Sequence, residues 1–116
     1  MPQSINRLMI SEACFDIITQ AIRAYSLETK RFESLHTTVQ YGTGRILEDP
    51  PTAAQVSSML TENEISGPIK VHIVITDRWF ATFKEAGACL SALACRKLEI
   101  KECVYLILKS LLANAK

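Results

Sequence analysis

Four cysteines, two histidines and one glycine-flanked segment, "YGTGR" at 41–45, are the parts of this chain whose types and spacing bear on chemistry. Cys89, Cys95 and Cys103 follow one another at intervals of six and eight residues, with Cys14 far upstream. Zinc sites draw ligands in tight C-x2–4-C pairs, and no pair here has that spacing. On one straight helix, residues six apart are separated by about 9 Å of rise and about 120° of azimuth. Disulfide partners hold their Cα atoms roughly 4.4–6.8 Å apart, so Cys89 and Cys95 neither bridge nor clamp a metal from such a helix. The spacing predicts free thiols that pack as small hydrophobes, and no metal site. A nucleophilic thiol, with Cys14 and Cys103 as the remaining candidates, needs a basic partner. His36 and His72 are the only histidines, and neither adjoins a cysteine in sequence.

Glycine amides can wrap an anion, but "YGTGR" lacks both the third glycine of a dinucleotide fingerprint and the Gly-Lys-Ser/Thr of a P-loop. Residues 42–44 therefore read as a turn. No G-x-S-x-G elbow is present for serine chemistry. "TAAQVSSMLTENEISGPIKV" imitates the first half of a helix-turn-helix through Ala54, Val56 and Leu60, yet Ser66-Gly67-Pro68 breaks the helix that would read a groove. Asp49, Glu62 and Glu64 stand where phosphate contacts would demand bases. Thirteen Lys+Arg against twelve Asp+Glu leave a net charge of +1, which gives little attraction for nucleic acid and little repulsion between copies. Removal of Met1 would expose the amine of Pro2, a base that nothing else in the chain supports. No catalytic residue, cofactor or metal ligand is assigned.

Those side chains must be held by elements. Residues 5–10 read as a short leading strand. Ser11 is placed to cap a helix over 11–28, in which Cys14, Phe15, Ile17, Ile18, Ala21, Ile22 and Tyr25 recur at helical spacing. "LHTTVQYGTGRILE" at 35–48 is rich in β-branched and aromatic residues, which predicts a strand over 35–41, a turn and a short return over 45–48. A helix follows from Thr52 to about 63, begun by Pro51 or Thr52. "IKVHIVIT" at 69–76 is a strand with Ile69, Val71, Ile73 and Ile75 on one face and Lys70, His72, Val74 and Thr76 on the other. Asp77 would cap a helix to about Lys97. Over 99–114, Val104, Ile107, Leu108, Leu111 and Leu112 fit a helical face, with a strand as the alternative.

The pattern predicts one domain over 1–116, a two-layer α+β fold with a small, mostly antiparallel sheet and helices on one face. A final strand would instead give a ferredoxin-like βαββαβ order. With 35–41 beside 69–76, His36, Gln40, Lys70 and His72 would share an open polar face able to contact a ligand or partner.

Between Glu85 and Arg96 lie ten residues without a formal charge. Gly87/Ser91 and Ala88/Ala92 make low ridges, and a helix apolar on most sides is expected to be buried. The C-terminal segment and a second subunit would cover it, with Trp79, Phe83, Ala88, Ala92, Leu108 and Leu112 as the interface. The longest apolar stretches fall short of the ~20 residues of a membrane span. The opening residues carry no secretory pattern, so the thiols are expected reduced, in the cytoplasm. The functional expectation is a non-enzymatic interaction or assembly module, a homo-oligomer or a complex subunit. The alternative is a small α+β enzyme or ligand-binding protein that uses the polar sheet face.

Overall fold

A computed structural model describes residues 3–114 as two strands and five helices: β1 (Gln3–Ile10), α1 (Glu12–Thr29), α2 (Leu35–Glu48), α3 (Ala53–Glu62), β2 (Ile69–Thr76), α4 (Asp77–Ala94) and α5 (Ile100–Asn114). Pro2 lies outside the described residues. The fold is α+β. β1 and β2 pair antiparallel in one continuous register, from Gln3 opposite Thr76 to Ile10 opposite Ile69. The two-residue period sends Leu8, Ile10, Ile73 and Ile75 into the core and leaves Ile5, Met9, Lys70 and His72 open on the other face. The partner of 69–76 is thus the leading strand and not 35–41.

Local capping chemistry sets the helix starts. The Ser11 hydroxyl accepts from the Cys14 amide at 3.0 Å and donates to the Glu64 carbonyl, while the Ser11 amide donates to the Ile65 carbonyl at 2.8 Å. The start of α1 is thereby tied to the segment before β2. Gly67 makes that crossing possible, because a Cβ there would lie 2.7 Å from the Ile10 carbonyl oxygen and collide with the Ser11 backbone. At α3, Thr52 and Gln55 form a reciprocal capping box, with bonds of 3.1 and 2.8 Å.

Residues 35–48 form one helix, which corrects the expected strand, turn and return strand. Ser34 and Thr37 build a second capping box at its start, with bonds of 3.1 and 3.0 Å. The threonines that suggested a strand are accommodated in the helix, since Thr38 and Thr43 donate to the carbonyls of Ser34 and Val39, each at 2.7 Å. Val39, Gly42, Thr43 and Ile46 form the buried stripe. Gly42 is a packing residue and not a turn: a Cβ there would sit 2.6 Å from Ile107 Cγ2, so α2 lies very close to α5.

The segment 100–114 is helical, which removes the ferredoxin-like alternative. Cys103 through Leu108 are all buried, five of the six at 1% exposure or less. α5 packs against α1, α2, α3, α4 and β1, and so forms the centre of the molecule. α4 starts at Asp77 itself, after Thr76, and ends at Ala94, three residues short of Lys97. Cys95 takes a left-handed conformation there (φ 60°), and the Arg96 amide bonds back to the Ser91 carbonyl at 3.2 Å.

The link from α1 to α2 is held by one carboxylate. Glu33 accepts from the hydroxyls of Thr29 and Thr37 at 2.7 and 2.9 Å and from Arg31 Nε at 3.3 Å. The Thr29 bond contributes most to holding its carboxyl below the usual range. Tyr25 and Tyr41 stack beside it, with ring centroids 4.5 Å apart.

Two tests follow from this packing. Gly42→Ala should destabilise the fold by about 1–3 kcal/mol through overpacking against Ile107. Gly44→Ala in the same helix, where a Cβ meets nothing within 4 Å, should stabilise by about 0.5–1 kcal/mol in denaturant titrations. Because the folded-state pKa of Glu33 is depressed, its contribution is present above the unfolded value and lost as pH falls through the folded one. Stability measured between about pH 5 and pH 3 should therefore decline less steeply in Glu33→Gln than in the parent.

Candidate functional site

The four residues expected on one polar sheet face do not come together. His36 lies on α2, and its Nδ1 is 2.6 Å from the Val74 carbonyl oxygen. A carbonyl only accepts, so Nδ1 carries the hydrogen, and the ring ties α2 to β2. The ring also meets Trp79 edge-on, with centroids 5.5 Å apart. Gln40 is exposed, on α2 rather than on a strand. Lys70 and His72 do share the open sheet face, opposite Met9 and Arg7 respectively.

All four cysteines are free, but they differ in environment. Cys14 and Cys103 are buried, and loss of solvation pushes both thiols up to about 11. They are protonated near neutrality and are poor nucleophiles. Cys95 is exposed and Cys89 half-buried, which corrects the expectation that both would be enclosed packing. Among the described residues no group of three or more His, Cys, Asp or Glu side chains is placed to hold a metal ion. Nor is any helix among them long and apolar enough to cross a membrane.

The neutral run at 86–95 is therefore only half covered. On α4, Trp79, Phe83, Ala86 and Leu90 recur at helical spacing and are buried. Phe80, Lys84, Ala88 and Ala92 form a second stripe, about 150° round the helix, and are exposed. Of the six residues expected at an interface, Trp79, Phe83 and Leu108 are enclosed in the chain's own core, at 4%, 5% and 0% exposure, and Leu112 is half-buried. Ala88 and Ala92 alone face outward.

The outward stripe forms one wall of an open groove of about 660 Å³, completed by the start of α5 and the sheet edge near Asn6. Ile75, Phe83, Leu98 and Cys103 make an apolar floor. Phe80 and Ile100, both in its lining, remain 44% and 37% exposed. Lys84, Arg96 and Lys97 are the charged residues of the lining, with no carboxylate among them. Lys84 Nζ stands 5.7 Å from the centre of the Phe80 ring.

Fixed contacts hold the groove's shape. Arg96 makes two bonds to Glu102, at 2.8 and 3.2 Å, which join the end of α4 to the start of α5. That guanidinium holds the Glu102 carboxyl below its usual range. Glu102 also accepts from the Glu99 amide at 2.8 Å, and Ser91 Oγ accepts from the Leu98 amide at 3.1 Å. Phe80, Lys84, Lys97 and Ile100 are among the groove residues that sequence reasoning missed. The signal for the first two was Lys84, a charge at i+4 from Phe80 that marks the stripe facing water.

A second cleft of about 430 Å³ lies between the end of α2, the start of α3 and α5. Its two basic residues are paired, Arg45 with Glu48 at 3.6 Å and Lys109 with Glu62 at 3.4 Å. The long apolar groove is the candidate site.

An aqueous disulfide reagent should label Cys95 first and Cys89 more slowly, with Cys14 and Cys103 reacting only on unfolding. Native labelling of Cys14 or Cys103 at the rate of Cys95 would contradict this core. No family model, curated protein or solved structure matches the chain.

Proposed function

We propose that this chain is a non-enzymatic interaction and assembly module, working in the cytoplasm as a homo-oligomer or as a subunit of a larger complex. The docking surface is the outward face of α4 together with the start of α5. The observation that carries this reading is the open apolar groove, in which Phe80 and Ile100 keep 44% and 37% of their surface in water. Contiguous exposed apolar surface with a polar rim is the signature of a protein-binding patch. The Arg96–Glu102 pair and the bond from the Leu98 amide to Ser91 Oγ tie the linker between α4 and α5 to both helices, which favours a preformed groove. Four free thiols suit a reducing compartment. The polar sheet face supports a ligand site less well, since His36 is committed to Val74 and Gln40 belongs to a helix.

Charged side chains at the centre of the patch test the reading. Ala88→Glu/Ala92→Glu should keep its thermal melting point within a few degrees, because both positions are exposed. In sedimentation of the purified chain or of the tagged chain in its own cell extract, at least one setting should show a larger assembly for the parent and monomer mass for the variant. The same mass for both in both settings would refute the proposal.

A further inference from the structure

The charge of the groove selects among possible occupants. Its lining combines an apolar floor with Lys84, Arg96 and Lys97 and contains no carboxylate. Arg96 is already matched by Glu102 at 2.8 Å. Among the described residues, neither Lys84 nor Lys97 has a carboxylate within ion-pair distance. The groove thus carries two unmatched positive charges beside an apolar trough, in a chain whose overall charge is only +1.

A second copy docked through the same groove about a two-fold axis would set this cationic lining against itself. An acyl chain would be poorly served, because small apolar ligands favour sites that enclose most of their surface and this trough is open along its length. The exposed stripe from Phe80 to Ala92 runs about 18 Å, a little over three turns of helix. That length suits a helix laid along the groove, read by apolar anchors at i, i+4 and i+7.

We infer that the groove between α4 and the start of α5 receives an amphipathic helix of a partner protein, whose apolar stripe is flanked by acidic residues that meet Lys84 and Lys97. The inference rests on the docking reading above and names the chemistry of the partner.

Two fluorescent fifteen-residue amphipathic peptides with the same leucine stripe, one flanked by Glu and one by Lys, test it by anisotropy. The Glu peptide should bind the parent chain about tenfold more tightly than the Lys peptide. Added salt should narrow the difference, and Lys84→Glu/Lys97→Glu should reverse the order. Equal affinities, or an order unchanged in the charge-reversed variant, would overturn the acidic partner and leave the docking surface standing. If neither peptide binds while Ala88→Glu/Ala92→Glu still dissolves the assembly, a partner of other chemistry fills the groove and this inference fails alone. If neither peptide binds and those substitutions change nothing, both readings fail.

Discussion

The fold depends on enclosing α5. Val104 through Leu108 are five consecutive residues with almost no solvent contact, so the middle of this helix has no face to spare for water. Each large apolar side chain buried there contributes about 1.5–3 kcal/mol, and that gain is available only if neighbours stand on every side. A two-stranded sheet cannot provide this alone. The sheet supplies one wall, and α1, α2, α3 and α4 supply the others. Gly42 follows from the same requirement, since only a residue without a side chain lets α2 come so near Ile107.

Once α5 occupies the centre, the position of α4 is determined. It presents the Trp79–Leu90 stripe inward, and on its opposite side Phe80, Lys84, Ala88 and Ala92 stay exposed among the described residues. The neutral run of 86–95 is half exposed for that reason. Leu98 and the start of α5 then close one end of the trough, and the Arg96–Glu102 pair ties the segment after α4 to the first turn of α5. Core and groove are consequences of one arrangement.

Much of this was legible in the residues and some was not. Strand 69–76 was readable at both ends, because strict alternation was bounded by Gly67-Pro68 and by a helical pattern. The start of α1 at Ser11 and that of α3 at Thr52 were readable from capping chemistry. The segment 35–48 misled because Thr37, Thr38 and Val39 favour strands in isolation. What decided it was a Ser34–Thr37 box, weaker in appearance than one closed by Glu or Gln, and a contact with Ile107 some 65 residues away. The burial expected of 85–97 was overestimated by counting apolar residues instead of their area. Ala, Gly and Ser in 86–94 offer little surface, whereas Val104-Tyr105-Leu106-Ile107-Leu108 offers a great deal. In the groove, Ala88 and Ala92 were legible, but Trp79, Phe83 and Phe80 could be sorted only by azimuth, with Lys84 as the marker.

The central helix is also the element that follows all its neighbours in the chain. During synthesis on the ribosome, four helices and both strands emerge before the segment they surround. β1 and β2 can already pair, and α4 can already meet α2 and α3, but the faces that pack on α5 have no native partner until 100–114 has been made. The core closes only when the last helix is in place, because the residues it buries are contributed by elements from the whole length of the chain.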